Sequence, residues 1–122
     1  MKDFRQLKVW EKAHRLTLAI YKVTTRFPKA EMYGLASQMR RSSASIATNI
    51  AEGCGRNSDA DFCRFPVVAS GSGSELEYQL LLCRDLGYLN EKEHETLLAQ
   101  LTEVKKMLNG FIHKLSPREA KS

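Results

Sequence analysis

Two stretches of the chain carry apolar residues with the same 4-3-4-3-4 spacing, and this regularity limits the fold more than any other feature. One series is Val9, Ala13, Leu16, Ile20, Val23 and Phe27, and the other is Leu97, Leu101, Val104, Leu108, Phe111 and Leu115. This spacing places all members of a series on one face of an α-helix. No segment shows the period-2 alternation of a half-buried strand, so the chain is predicted to be all-α.

Capping and helix-breaking residues divide the 122 residues into four helices of one domain. Pro28 disfavours helical geometry in the residue before it. Ser58 is a candidate N-cap, and so is Asn90, which has Glu93 as its capping-box partner. The predicted helices cover about 4–27, 35–53, 58–87 and 90–115, with a tail at 116–122. Because the connections are short, we predict an antiparallel up-down-up-down four-helix bundle over residues 1–122.

The third helix is less regular than the others. Its predicted buried face comprises Phe62, Phe65, Ala69, Ser72, Leu76, Cys83 and Leu86. A glycine inside a helix costs about 1 kcal/mol relative to alanine, so we expect Gly71 and Gly73 to allow another helix backbone to approach closely. Pro66 removes one backbone hydrogen bond from the helix, and a kink is expected near it.

Catalytic and cofactor-binding motifs are not evident in the sequence. The three histidines lie on different predicted helices, without the spacing that gathers metal ligands. The segment SGSGSE at 70–75 lacks the pattern of a phosphate-binding loop and follows no predicted strand. Glu75 and Glu77 point to different sides of their helix, so they form no acid–base pair. We therefore expect no enzymatic activity, no catalytic residues, no metal and no cofactor.

The cysteines and the apolar segments indicate the cellular compartment of the protein. Cys54, Cys63 and Cys83 form an odd set without CxxC spacing, which favours reduced thiols. No apolar run approaches the roughly 20 residues of a membrane span, and the N-terminal residues do not resemble a signal peptide. These features predict a cytoplasmic protein with neither a membrane partner nor an evident small-molecule substrate.

Charge is concentrated in the first half of the chain. Residues 1–56 hold eleven Lys or Arg and four Asp or Glu, for a net +7, whereas residues 57–122 hold eight and ten, for a net −2. A basic half favours polyanions such as RNA, DNA or an acidic protein surface. A solvated, lysine-rich surface is the alternative interpretation.

A stripe of cations on the first predicted helix is the candidate anion-binding surface. It consists of Arg5, Lys8, Lys12, Arg15, Lys22 and Arg26, and Arg40 of the second helix is added to this candidate set. Phosphate contacts need only positive charge placed along a surface. A solvated outer face is again the alternative, and no aromatic residues are expected to interleave with the stripe as a stacking platform requires.

The second helix has three faces lined with small or polar residues. Leu35, Met39, Ser42, Ile46, Ile50 and Gly53 share one face, Gln38, Arg41, Ser45, Asn49, Glu52 and Arg56 a second, and Ala44, Ala47 and Ala51 a third. On one interpretation, Arg41, Asn49, Glu52, Arg56 and Glu75 form a buried polar layer, because buried charges need partners. On the other, the second face is simply exposed.

These segments resemble a known protein family. FRQLKVW at 4–10, FPKAEMYGLASQMRRSSASIATNIAEG at 27–53, and the RF, GS and EL pairs across 64–76 are similar to the 23S ribosomal RNA intervening-sequence proteins. The resemblance covers residues 4–115. It implies an antiparallel four-helix bundle that assembles into a homopentamer, in a bacterial family whose biochemical role is generally unassigned. A similar bundle is the accessory protein of diversity-generating retroelements, a basic pentamer that contacts nucleic acid and a reverse transcriptase.

The resemblance rests on particular positions and implies no catalytic set among them. The matching positions include Phe4, Leu7, Trp10, Pro28, Gly34, Gln38, Arg40, Arg41, Ser45, Asn49, Glu52, Gly53, Arg56, Arg64, Gly71, Ser72 and Glu75. The sequence departs from the family near Ala47, where the family often has proline, at Pro66, where it often has leucine, and at Gly73, where it often has a larger apolar residue.

Two functions from different classes follow. In the first, a homo-oligomer presents its basic half to RNA or DNA, and symmetry multiplies the field of one subunit. In the second, the bundle is a scaffold whose basic face binds an acidic protein. Salt dependence separates them, because nucleic-acid binding weakens log-linearly with salt.

Overall fold

The computed structural model describes residues 3–56 and 59–115, in which four α-helices make up most of the chain and no strand occurs. The helices are α1 (Lys8–Thr24), α2 (Leu35–Cys54), α3 (Asp59–Asp85) and α4 (Glu91–Leu115). Short 3-10 helices at Phe4–Gln6 and Lys29–Glu31 precede α1 and α2. None of the helices in the described ranges is both long and apolar enough to cross a bilayer.

Each helix runs antiparallel to its neighbours, as contacts between side chains demonstrate. In every pair of adjacent helices the residue numbers rise on one helix as they fall on the other. These contacts are Thr17–Ser43 and Thr24–Arg40 between α1 and α2, Ser42–Glu75 and Ser45–Ser72 between α2 and α3, Glu77–Lys105 and Arg84–Glu91 between α3 and α4, and Lys12–Glu103 and Arg26–Glu93 between α1 and α4. The predicted up-down-up-down four-helix bundle is confirmed.

The core is one cluster that receives an apolar face from every helix. Leu16 and Ile20 of α1 and Leu101 and Leu108 of α4 have no exposed surface. The whole predicted first face of α2, from Leu35 to Gly53, is buried. Burying one such leucine or isoleucine stabilises a fold by roughly 1.5–3 kcal/mol, so these seams supply much of the driving force for folding.

The first helix begins later than the sequence predicts. Leu7 has extended backbone torsions, φ −86° and ψ 127°, and separates the 3-10 turn from α1. The Asp3 carboxylate accepts a hydrogen bond from the Arg5 backbone N–H at 3.1 Å and caps the turn. Helix therefore starts at Lys8 rather than near residue 4, because a local cap competes with the helix at these residues.

The same helix also ends earlier than predicted, at Thr24 instead of Phe27. The Thr24 hydroxyl donates to the Ile20 carbonyl and the Thr25 hydroxyl to the Lys22 carbonyl, both at 2.7 Å. Such bonds between side chain and backbone are frequent where helices bend or stop. Phe27 then turns back into the core, where its ring centroid lies 5.2 Å from that of Tyr88.

The C-terminal end of α3 differs from the predicted buried face. The helix ends at Asp85, and Leu86 is 50% exposed rather than buried. Gly87 follows with φ +80°, a left-handed conformation that favours glycine. The turn brings Leu89 into the core at 3% exposure, so Leu89 supplies the apolar contact that the sequence pattern assigned to Leu86.

Pro66 lies within α3, and helical structure continues through it from Asp59 to Asp85. Within one chain no helix backbone approaches Gly71, because a Cβ atom there would have no neighbour within 4 Å. A Cβ atom on Gly73 would lie 3.2 Å from Lys105 Cγ and 3.5 Å from Leu101 Cδ1. Gly73 therefore makes room for side chains of α4 and not for its backbone.

The start of α4 has the predicted capping box. The Asn90 side-chain oxygen accepts from the Glu93 backbone N–H at 2.8 Å, and the Glu93 carboxylate accepts from the Asn90 N–H at 3.0 Å. These bonds satisfy two backbone donors that the first helical turn would leave unpaired. The candidate cap of α3, Ser58, lies outside the described residues.

Candidate nucleic-acid interface

The predicted cations of the first helix lie on one outer side of the bundle, and we call them the α1 stripe. Four belong to α1 itself, Arg5 belongs to the preceding 3-10 helix, and Arg26 follows the end of α1. The members are Arg5, Lys8, Lys12, Arg15, Lys22 and Arg26. All but the half-buried Lys12 are exposed, so a polyanion could reach the stripe.

Four members of the α1 stripe are already paired with carboxylates. The pairs are Arg5–Asp3 at 3.2 Å, Lys12–Glu103 at 2.7 Å, Arg15–Glu11 at 2.6 Å, and Arg26–Glu93. Exposed ion pairs contribute about 0–1 kcal/mol to stability. Their larger consequence is electrostatic, because each carboxylate reduces the field that its cation presents to a ligand.

Lys8 and Lys22 differ from the other members of the stripe. Both are exposed, and neither forms an ion pair with the residues that the structure describes. They lie 14 positions apart on α1, or about 21 Å at 1.5 Å per residue. The unneutralised charge of the stripe is thus concentrated at two separate points.

Arg26 is the stripe member most closely integrated with another helix. Its guanidinium pairs with Glu93 of the α4 capping box. The hydrogen bond from Arg26, followed by the one from the Asn90 backbone, holds the pKa of Glu93 below its usual value. Glu93 is therefore charged at neutral pH, and it links the end of α1 to the start of α4.

Arg40 fastens α2 to the C-terminal end of α1. Its Nε donates to Thr24 Oγ1 at 2.8 Å and its Nη2 to the Tyr21 carbonyl at 3.3 Å. The guanidinium also lies 4.9 Å from the centroid of the Tyr21 ring, a cation–π geometry. These contacts give Arg40 a packing role that its assignment to the anion-binding set did not include.

Aromatic rings of α1 lie on its α2 side, whereas Lys12 and Arg26 of the stripe contact α4, so these rings do not interleave with the stripe. The Phe4 and Trp10 ring centroids are 4.9 Å apart with planes at 63°, and Trp10 stacks on His14 at 4.9 Å and 9°. Tyr21 is 45% exposed further along α1. The spacing of Trp10 and His14, four residues apart on a helix, was the signal available in the sequence.

A groove runs between the N-terminal part of α1 and α2, and we call it the α1–α2 groove. It encloses about 390 Å³. Its lining residues are Phe4, Trp10, His14, Thr17, Ala44, Ala47, Thr48, Ala51 and Glu52. The three alanines form the third face of α2, so their small size creates this concavity within one chain.

Short polar side chains join α2 to α3, and we call this set the α2–α3 polar seam. The Ser42 hydroxyl donates to Glu75 Oε1 at 2.6 Å, and the Ser45 and Ser72 hydroxyls are 2.8 Å apart. Asn49 Nδ2 donates to the Ser45 carbonyl at 2.8 Å. The seam thus consists of Ser42, Ser45, Asn49, Ser72 and Glu75, and it connects the two helices by direct hydrogen bonds.

The predicted buried polar layer is not buried within one chain. Arg41 is 66% exposed in its side chain and lies 3.7 Å from Glu75, which is 46% exposed. Glu52 is exposed and belongs to the α1–α2 groove. Arg56 is also exposed, and its guanidinium lies 4.8 Å from the Phe65 ring centroid. Of the predicted layer, Asn49 and Glu75 take part in the seam, and Arg41 pairs with Glu75 from an exposed position.

One buried polar atom near the seam has no hydrogen-bond partner. Gln79 is 5% exposed, and its side-chain oxygen accepts no hydrogen bond from the described residues. Gln79 lies four residues after Glu75 and seven after Ser72, on the same side of α3. Its oxygen is therefore an unsatisfied acceptor at the end of the polar contact between α2 and α3.

The sequence and the fold now identify the family of the chain. Residues 5–110 match the family model described as 23S rRNA-intervening sequence protein. The chain belongs to this family. It is also similar to a crystal structure of a protein with unknown function from the S23 ribosomal protein family of Bacteroides thetaiotaomicron VPI-5482. The two chains are 28% identical with a TM-score of 0.77, over 85% of this chain and 97% of the other. No curated protein matches the chain.

The segment with the most distinctive resemblance to the 23S rRNA-intervening sequence proteins, residues 27–53, forms the α1–α2 connection and most of α2. This segment contributes Ser42, Ser45 and Asn49 to the polar seam and Glu52 to the groove. Among residues 3–56 and 59–115, no three side chains of metal-binding type come together. The distinctive segment therefore contributes to the contacts between helices and to the lining of the groove.

Proposed function

We propose that this member of the family is a homopentameric, non-enzymatic protein that binds RNA or DNA through the α1 stripe, without a cofactor. The observation that carries the proposal is the row of exposed cations along one side of α1. Lys8 and Lys22 of this row have no carboxylate partner in the described residues and supply unpaired charge. Phosphate contacts need only positive charge placed along a surface, so such a row binds nucleic acid without reading its sequence.

The paired cations fit the same function with a smaller contribution. A phosphate that approaches Lys12 competes with Glu103, and one that approaches Arg15 competes with Glu11. Breaking an exposed pair costs little. However, the released carboxylate remains nearby and repels the phosphate. We therefore assign the greater share of phosphate binding to Lys8 and Lys22.

Assembly into an oligomer is supported by apolar side chains on the outer side of α3, and the number five comes from the resemblance to the family. Val67 is 51% exposed, Val68 48%, Tyr78 62% and Leu81 38%. Exposed apolar side chains grouped along one helix of a small domain favour a contact with another protein. Cyclic assembly would bury this face and repeat the α1 stripe around the symmetry axis. Light scattering should give about five times the 13.8 kDa mass of one chain.

We place the protein in the cytoplasm. The Cys83 thiol is fully buried and lies 3.3 Å from the Met39 sulfur, within α3–α2 packing. Burial, with a smaller effect of Glu31, raises the pKa of Cys83 to about 12. Cys83 forms no disulfide, which fits a reducing compartment.

The test is a salt titration of binding to a duplex of mixed sequence. The variant Lys8→Ala with Lys22→Ala should lower the slope of log K against log salt by about 1.8, because each phosphate contact contributes about 0.9. A matched control, Arg64→Ala with Lys106→Ala, removes the same charge from exposed positions on α3 and α4. Equal slopes for the two variants would contradict the role of α1. No binding by the parent protein would contradict the function and favour an acidic protein as partner.

A further inference from the structure

The α1–α2 groove has the shape and lining of a site for one flat ring. Trp10 and His14 line it as a parallel stack, with Phe4 set edgewise against Trp10. Ala44, Ala47 and Ala51 line the opposite side, on α2. A nucleobase could contact rings on the α1 side and methyl groups on the α2 side. Stacking of unpaired bases on aromatic or histidine rings is the usual basis of single-stranded RNA recognition.

Glu52 gives this groove a chemical preference. Its carboxylate lines the groove, is exposed, and forms no hydrogen bond or ion pair with the described residues. An ionised carboxylate only accepts hydrogen bonds, through two oxygens. Guanine is the base whose pairing edge presents two adjacent donors, N1–H and N2–H₂. Adenine, cytosine and uracil place an acceptor beside each donor on that edge, so a carboxylate would be repelled.

One cation near the groove could hold a phosphate of the same strand. The Arg5 guanidinium lies 5.5 Å from the Phe4 ring centroid, and the 3-10 helix containing both packs against α1 and α2. Arg5 pairs with Asp3 at exposed positions, and breaking such a pair costs little. A cation at one end of a groove that has a single carboxylate in its lining matches the charge distribution of a nucleotide that carries guanine.

We propose that the α1–α2 groove binds one unstacked guanine base of single-stranded RNA, with Glu52 accepting from its pairing edge and His14 contacting its ring. This inference rests on the nucleic-acid binding proposed above and adds a base preference to it. A phosphate beside the base binds Arg5. The groove then gives the protein selectivity that the α1 stripe, which contacts phosphates alone, does not provide.

Trp10 is the single tryptophan of the chain, so its fluorescence reports directly on the groove. The probes are a ten-nucleotide oligouridylate, the same strand with one central guanosine, and free guanosine monophosphate. The guanosine strand should bind about tenfold more tightly than the oligouridylate, since a bidentate base contact discriminates about 5- to 150-fold. It should also quench Trp10, and the oligouridylate should quench it less.

Two variants with the same change in charge test the role of the carboxylate. Glu52→Gln should abolish most of the tenfold guanosine preference, whereas Glu95→Gln, at an exposed position on α4, should leave it unchanged. His14→Ala keeps the Trp10 reporter and should weaken the guanosine strand more than the oligouridylate. Both Glu52 and His14 are exposed, so neither change removes part of the core.

The outcomes separate this inference from the proposed function. Equal binding of the two strands, or equal effects of Glu52→Gln and Glu95→Gln, would overturn the guanine site while leaving salt-dependent RNA binding intact. Failure of both strands to bind would contradict both proposals. Quenching by guanosine monophosphate that depends on Glu52, without strand binding, would show that a free nucleotide occupies the groove and would overturn the assignment to RNA.

Discussion

The α1 stripe and the α2–α3 polar seam are both polar, but their side chains form different kinds of contacts. The stripe consists of long cationic side chains, and four of them pair with carboxylates at largely exposed positions. The seam includes three short serine or asparagine side chains that are at least half-buried on α2 and bond directly to α3 or to their own helix. Short side chains hold two helices close together, whereas long ones reach solvent and ligands.

This difference predicts where substitutions should affect stability and where they should affect binding. A buried hydroxyl that loses its partner carries the full cost of desolvation, about 1–3 kcal/mol. An exposed ion pair contributes about 0–1 kcal/mol. Changes in the seam should therefore alter the free energy of unfolding, and changes in the stripe should alter the salt dependence of ligand binding.

The largest effect is expected for Ser42→Val. Ser42 has no exposed surface, and its single hydroxyl proton lies within reach of both Glu75 Oε1, at 2.6 Å, and the Gln38 carbonyl, at 2.9 Å. The variant removes this donor and adds volume where two helices meet, so we expect a loss of about 3 kcal/mol. Urea unfolding measures it, with Ser37→Val, an exposed position on the same helix, as control. Equal midpoints for the two variants would contradict the structural role of the seam.

A smaller effect is expected for Glu75→Ala. Glu75 accepts from Ser42 and pairs with Arg41, but its side chain is 46% exposed, so solvent screens part of the interaction. We expect a loss of about 1 kcal/mol in the free energy of unfolding. Glu95→Ala, at an exposed position on α4, is the control and should be neutral. If Glu75→Ala were as stable as this control, the claim that Glu75 stabilises the α2–α3 polar seam would be wrong.

Glu52→Ala sharpens the comparison because the sequence and the structure predict different results. A buried layer would require a loss of about 3–5 kcal/mol when an arginine is left without its partner. In the structure Glu52 is exposed and lines the groove. We therefore expect a change within about 0.5 kcal/mol, as for other surface substitutions. Thermal melts at two protein concentrations check this. A loss of several kcal/mol in the free energy of unfolding would support the buried polar layer instead.

The sequence predicted the helices well because their apolar spacing is a local property. It placed the ends of α1 wrongly because Asp3, Thr24 and Thr25 form hydrogen bonds with the backbone that the apolar pattern does not encode. It missed the pairing of Lys12 and Arg26 because Glu103 and Glu93 come from α4, far away in the chain. Ion pairing between two helices depends on how each helix is rotated about its own axis. The number of charged residues in the sequence does not specify this rotation.

The groove was missed for a related reason. The alanine face of α2 is evident in the sequence, but no groove is predicted there. A 3-10 turn, rather than continuous helix, places Phe4 edgewise against Trp10. The concavity therefore depends on a break in the helix that the apolar spacing did not indicate.

Acid should weaken the link between the stripe and α4. Arg26 and the Asn90 backbone lower the pKa of Glu93 in the folded protein. The contribution of Glu93 to stability is therefore fully present above its ordinary pKa of 4.5, and it is lost as the pH falls through the lower pKa of the folded state. The melting temperature of the parent should therefore fall below about pH 4.5 more steeply than that of Glu93→Gln. Parallel pH profiles for the two proteins would contradict the link.

The most direct test of the central claim compares unpaired with paired cations on α1. Lys8→Ala with Lys22→Ala removes two cations without carboxylate partners in the described residues, and Lys12→Ala with Arg15→Ala removes two that pair with Glu103 and Glu11. Both variants change the net charge equally, and both sites lie on one helix.

Salt-titrated binding of both variants to one duplex provides the measurement. We predict that the slope of log K against log salt falls by about 1.8 for the variant that lacks Lys8 and Lys22. For the variant that lacks Lys12 and Arg15 the slope should fall by clearly less, because Glu103 and Glu11 already neutralise these two cations. An equal fall for the two variants, or a larger one for the paired residues, would contradict the claim that ion pairing decides which cations bind phosphate.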